Sequence, residues 1–223
     1  MNWKTYYETH LTTAEEAVTH IKSGDRVVVA HACGEPSYLL DAMVANASAY
    51  RDVELVHMVA MGKGDYCKPE YAENFRHNAI FVGGSSREAV ADGRADFTPS
   101  FFFEVPRLFS TTMPVDVALV MVTPPDENGM CSLGVSVDYT QEAVKQAKLV
   151  IAQINPQMPW TGPNSLVSVK DLDVIVEHDA PLIELKPGKI GEIEKAIGEH
   201  CASLVPDGAT LQLGIGAIPD AVL

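Results

Sequence analysis

Cysteine is scarce and scattered. Cys33, Cys67, Cys131 and Cys201 stand far apart with no C-x-x-C pair, which argues against a disulfide frame or a zinc knuckle and for free thiols. The seven histidines include no H-E-x-x-H. His31 and Cys33 share a strand end, but two side chains fall short of the four ligands of a structural zinc site, so no metal is expected. Basic residues are also short, 16 against 30 acidic, for a net charge of −14. No basic face is available to displace counterions, which argues against a nucleic-acid partner. The same shortage is awkward for an anionic ligand, and local backbone N–H groups would have to offset it. No stretch approaches the roughly 18 apolar residues of a membrane span. The opening MNWKTYYETHLTTAEEA has no apolar core, so it is not a secretory signal, and a cytoplasmic location is expected.

What remains is the composition of a folded domain, with 47% hydrophobic and 21% charged residues over 223 positions. Helical and strand-like segments alternate. Thr12 and Glu15 have capping-box spacing ahead of an apolar stripe through Ala17, Val18 and Ile21. Arg26 to Ala30 reads as a buried strand, and Pro36 opens a helix running to about Ala49. Val53 to Ala60 and Ala79 to Val82 read as strands, and Ser85 with Glu88 repeats the capping-box spacing. Val115 to Val122 is too continuously apolar for a half-exposed strand and predicts one covered on both faces. A helix from Asp138 to about Lys148, strands at 149–154 and 172–176, and a helix from Glu192 to Ser203 follow. The alternation predicts an α/β fold, a mainly parallel sheet with flanking helices. Proline and glycine gather at 61–69, 123–134 and 155–164, in loops of the kind that carry function.

The two ends of the chain share a pattern. Helix, Ser23-Gly24-Asp25, strand, loop and Pro36 are matched without a gap by helix, Pro206-Asp207-Gly208, strand, loop and Pro219. A duplication would place a first domain at 1–189 and the start of a second, similar α/β domain at 190–223. Asp220 to Leu223 has the character of a helix start, and one turn is not stable alone. Leu223 therefore reads as the boundary of a longer chain, with the second domain truncated.

The most informative segment is Leu211-Gln212-Leu213-Gly214-Ile215-Gly216-Ala217-Ile218-Pro219. It predicts a strand entering a G-x-G-x-x-P turn and then a helix. Glycines there let backbone approach a ligand, and a helix start offers free N–H groups to an anion or oxyanion. A dinucleotide site would want a third glycine where Pro219 stands; a tight strand-to-helix turn explains the pattern equally well.

Gly214 to Leu223 resembles the CoA-contacting loop of the acetyl-CoA hydrolase/transferase family, which includes 4-hydroxybutyrate and butyrate:acetate CoA-transferases. Further segments agree in order along the chain: His31 to Pro36, Val56 to Met58, Phe81 to Gly84, Gly93 to Pro99, Pro124 to Gly129, Cys131 to Gly134 and Asn155 to Pro159. The resemblance implies two similar domains with CoA between them, and no permanently bound cofactor, acyl-CoA being a substrate. It implies ping-pong exchange with a short-chain carboxylate through a glutamyl-CoA thioester. In the family that glutamate lies beyond the glycine loop, hence after Leu223, so no catalytic residue is expected in this chain and the fragment alone should be inactive. Gly214, Ile215, Gly216, Ala217 and Ile218 are the CoA-binding candidates.

Among the chain's own residues, Gly34, Glu35, Gln212 and Asn155 are candidate substrate-lining positions. Glu35 sits where a helix start would favour a charged carboxylate, and that electrostatic role is the first reading of it, with a site-lining role second. Glu104 lies among aromatics, Glu127 in a proline-rich turn, and neither matches the family nucleophile. Asn155 and Gln157 follow a buried strand, although turn chemistry also suits Asn155-Pro156. Met58, Met61, Met121 and Met158 read as packing residues. Acyl-CoA hydrolysis and a non-catalytic CoA-binding subunit are the alternative readings; a homo-oligomer is expected, since an uncovered domain face promotes association.

Overall fold

The computed structural model describes residues 2–223. The chain divides into one compact unit ending at Ile183 and a second formed by Glu184–Leu223.

The first unit is built on nine strands, β1 (Arg26–Val29), β2 (Val53–His57), β3 (Phe75–Ala79), β4 (Asp96–Phe97), β5 (Val117–Val122), β6 (Met130–Ser132), β7 (Leu149–Ile154), β8 (Leu166–Ser168) and β9 (Val174–Glu177). Seven form one sheet in the order β4-β3-β2-β1-β5-β7-β9, with every pairing parallel. β6 and β8 make a separate antiparallel pair. The chain lays β2, β3 and β4 outward on one side of β1, then returns to place β5, β7 and β9 on the other. The direction of winding therefore reverses between β1 and β5, where α/β sheets hold their ligands beyond the strands' carboxyl ends.

Period-two alternation sends successive side chains to opposite faces. Val27, Val29, Leu55, Leu119 and Ile151 pack on one side with helices α2 (Ala14–Val18) and α3 (Ser37–Ala45). Val28, Val56, Ala118, Val120 and Ala152 pack on the other with α5 (Val105–Ser110) and α6 (Thr140–Gln146). α1 (Trp3–His10) and α4 (Arg87–Ala91) complete the helices of this unit. β5, read from sequence as covered on both faces, is buried at all six positions.

Some boundaries differ from the sequence reading. Thr13, not Thr12, caps α2, its hydroxyl accepting from Glu16 N. The third strand is Phe75–Ala79 instead of 79–82. Its polar residues are paired laterally: Asn78 Nδ2 donates to Glu54, Thr98 Oγ1 donates to Asn78 Oδ1, and Arg76 bonds Asp96. The helix opened by Pro36 stops at Ala45, and a 3-10 turn occupies Ala47–Ala49.

The second unit contains α7 (Glu192–Ala202) and α8 (Ala217–Val222). The strand predicted at 211–213 does not form, and Leu211 and Leu213 are exposed. A strand needs a neighbour for its N–H and C=O groups, and this unit contains no strand with which to pair.

Candidate active site

Beyond β1 the chain runs through His31-Ala32-Cys33-Gly34-Glu35-Pro36 before α3 begins. Gly34 is buried, and a Cβ there would collide with the Ser136 side chain. That serine holds the loop, its Oγ accepting from His31 N at 2.7 Å. Glycine is thus demanded at position 34 by close packing, and Gly34 is not among the residues that wall the cavity described below. His31 Nδ1 lies 2.7 Å from Asp138 Oδ2, and Tyr139 Oη donates to Val29 O at 2.7 Å. Together these contacts fasten the start of α6 to the end of β1.

Glu35 is 3% exposed. Its Oε2 accepts from Gly62 N at 3.0 Å and its Oε1 from Ser37 Oγ at 3.2 Å. A side chain at position 62 would strike the carboxylate, so the glycine allows the 59–64 loop to close over it. His57 Nε2, 3.9 Å from Glu35 Oε2, is the nearest basic atom. Burial pushes His57 down to about 3, so the imidazole is neutral and provides no counter-charge. Burial also drives the Glu35 carboxyl above its ordinary range, against the smaller opposing pull of the Gly62 and Ser37 hydrogen bonds. The helix-start electrostatics expected from sequence are therefore outweighed by desolvation.

The facing wall comes from the carboxyl ends of the returning strands. Met121 from β5, Gln153 from β7, Asn155 just beyond it and His178 beyond β9 join Glu35, Tyr38 and Asp41 around a cavity of ≈ 140 Å³. The ring of His178 stacks on Tyr38 with centroids 3.9 Å apart. Asn155 is committed to its own loop: its Nδ2 donates to Ala180 O at 2.8 Å and its Oδ1 accepts from Gln157 N at 3.0 Å. Glu35 and Asn155, two of the sequence candidates, are thus brought to one cavity. Gln153 was missed. It is 2% exposed, and its Oε1 has no hydrogen-bond partner among the described residues. The signal was present in LVIAQI, where glutamine is the one polar residue of a strand buried at five of its six positions.

Elsewhere in this unit, Phe101, Phe102, Phe103 and Pro106 border an apolar hollow with Asp138 and Tyr139. Glu104, although beside them in sequence, does not line it. Glu127 is an exposed loop residue.

In the second unit, Gly214, Ile215, Gly216 and Ala217 line an open cavity of ≈ 420 Å³ together with Lys186, Gly188 and Asp220. Gly216 adopts φ +132°, a conformation that favours glycine. Ile218 lies within α8 and Gln212 on the exposed approach to the turn; neither lines this cavity.

Residues 1–185 match the family described as acetyl-CoA hydrolase/transferase N-terminal domain. The chain is 58% identical over 224 residues to the 4-hydroxybutyrate coenzyme A transferase of Clostridium kluyveri, covering 100% of this chain and 52% of that protein. It is 40% identical over 216 residues to the succinyl-CoA:cyclohexane-1-carboxylate CoA transferase of Geobacter metallireducens, covering 97% and 49%. The crystal structure of RipA from Yersinia pestis matches with a TM-score of 0.94 at 31% identity, over 100% of this chain and 54% of that one. The chain thus spans about half the length of the curated relatives it matches.

Proposed function

Because the chain belongs to the acetyl-CoA hydrolase/transferase family, we propose that it is the N-terminal part of an acyl-CoA:carboxylate CoA-transferase whose substrates are an acyl-CoA and a short-chain carboxylate. The observation that carries this reading is the small cavity at the winding reversal of the sheet, walled by Glu35, Gln153 and Asn155 at the carboxyl ends of parallel strands. In this reading residues 1–189 form the first domain and 190–223 open a second. Gly214, Ile215, Gly216, Ala217 and Ile218 contribute backbone to the CoA site, where amides offset the chain's negative charge. CoA enters and leaves as substrate; no resident cofactor takes part.

The exchange proceeds through a glutamate. Its carboxylate attacks the thioester carbonyl, the C–S bond breaks, and a mixed anhydride and CoA thiolate result. The thiolate then attacks the glutamyl carbonyl, releasing the first acid and leaving a glutamyl-CoA thioester, which the second acid opens by the reverse sequence. Glu35 does not fit this role. It is buried, both of its oxygens already accept hydrogen bonds, and its ionisation is disfavoured. As the family resemblance implies, the nucleophile is assigned to residues outside 1–223, and this chain alone should turn over little or no substrate.

The test is acyl-CoA exchange by the complete protein. Parallel-line kinetics are expected, with a CoA-modified glutamate outside residues 1–223 in peptide mass spectra. Modification of Glu35, or robust exchange by residues 1–223 alone, would overturn the assignment. CoA release with water as the sole acceptor would instead mark a hydrolase. Working as a cytoplasmic homo-oligomer belongs to the same reading, and sedimentation velocity with cell fractionation tests it.

A further inference from the structure

We propose that the exposed phenylalanines at the carboxyl ends of β3 and β4 are the face on which a second copy of this chain docks about a two-fold axis. This rests on the homo-oligomer of the proposed function and is independent of the reaction catalysed.

The distribution of phenylalanine is the first observation. Phe75 and Phe109 are buried, whereas Phe81, Phe97, Phe101, Phe102 and Phe103, consecutive among the phenylalanines, are all more than half exposed. Phe97 pairs with Ala79 at the last position of β3, so Phe81, Phe97 and the run after it emerge at one end of the sheet. Phe102 reaches back to the end of β1, in T-shaped contact with His31 at 5.6 Å, and Phe101 stacks on Phe103 at 5.8 Å. At roughly 200 Å² per side chain, the five leave on the order of 600 Å² of aromatic surface uncovered. That is the upper end for a monomer's largest apolar patch, and a standard interface takes about 800 Å² from each partner.

The hollow bordered by Phe101, Phe102, Phe103 and Pro106 measures ≈ 480 Å³, about three times the roughly 150 Å³ that takes up benzene. Its one charged border residue, Asp138, is already engaged by His31 Nδ1 and the Tyr139 amide. The Tyr139 hydroxyl donates to Val29 O. With no free polar group to orient it, a polar small molecule gains little here. Aromatic side chains of a facing protein surface fill such a space.

Charge identifies that surface as a second copy. The chain carries a net charge of −14, so two copies repel over most of their surfaces. Between Phe75 and Phe109, however, four arginines balance four acidic residues, and a like-charged copy approaches this segment without that penalty. A two-fold interface sets one patch against itself, so the patch must hold both members of each contact. Glu104 and Arg107 meet this condition. They follow the aromatic run, three residues apart at the start of α5, and neither ion-pairs with another described residue. Across the axis Glu104 of one copy faces Arg107 of the other, twice in each dimer.

Sedimentation velocity on the complete protein should show a dimer at micromolar concentration. Phe103→Glu, at a position 80% exposed, should raise the dissociation constant by at least about tenfold. Glu104→Arg and Arg107→Glu should each do the same, because like charges then meet across the axis. Mixed in equal amounts, these two single variants should associate again, since two arginines on one copy now face two glutamates on the other. A monomeric protein, a dimer that all three variants leave intact, or single variants that stay apart on mixing would each overturn the proposal. The last result is the one expected if another part of the same polypeptide covers the phenylalanines. Acyl-CoA exchange is measured on the same samples, and a dimer that exchanges nothing fails the transferase reading alone.

Discussion

At the scale of single residues, Glu35 and His57 titrate in opposite senses around one buried contact. His57 falls from 6.5 to about 3 on folding, so between those values the unfolded chain binds the extra proton. Its contribution is complete above pH 6.5 and is lost as pH falls toward 3. From pH 7 to pH 5 the loss is about 2 kcal/mol. His57→Gln should remove that part of the acid arm, read as urea midpoints at the two pH values. Glu35 has the reverse sign. With its carboxyl raised by burial, the folded state holds the proton longer, so stability rises as pH falls from the folded value toward 4.5. Glu35→Gln should abolish that rise, and a steeper rise in the variant would contradict the burial argument. Sequence could point to Glu35 because it stands between glycine and proline at a helix start. Its burial, which raises the carboxyl, was hidden, since the Gly62 loop that closes over it and the His57 ring beside it come from 27 and 22 residues away.

At the scale of elements, legibility followed apolar periodicity. β5 was evident because six consecutive apolar residues have no other economical place than a two-sided core. β3 was misplaced because Phe-Arg-His-Asn-Ala looks polar until Glu54, Asp96 and Thr98 are seen beside it. The predicted strand at 211–213 failed for the opposite reason: its pattern is right but no neighbour is present to pair with it. These differences give two stability predictions. Leu119→Ala, in the fully buried strand next to β1, should cost about 2–5 kcal/mol by denaturant titration. Gly34→Ala forces a Cβ into Ser136 at the turn between β1 and α3 and should cost about 1–3 kcal/mol. Neutral behaviour of Gly34→Ala would show that the loop has slack the packing does not indicate.

At the scale of the whole molecule, the two units differ in how much of themselves they cover. The first carries a hydrophobic cluster on each face of its sheet. In Glu184–Leu223, Gly198 is the one buried residue, while Ile193, Ile197, Leu204 and Ile215 are exposed. Ile193, Ile197 and Cys201 repeat every fourth position along α7, the stripe by which a helix packs against a partner. A segment of about 40 residues with so little interior falls below the size at which a core sustains itself without staples, and Cys201 is a free thiol. Local opening should therefore be frequent here and rare in the sheet. Trypsin should cut first at Lys186, Lys189 or Lys195, before any site between Arg26 and Lys170, leaving a resistant product that retains the seven-stranded sheet. Amide exchange should follow the same order, fastest in α7 and α8 and slowest in β1, β5 and β7. Early cleavage within the sheet unit, with Glu184–Leu223 left intact, would mean that the glycine-turn unit has an interior of its own, contrary to the exposure of its apolar side chains.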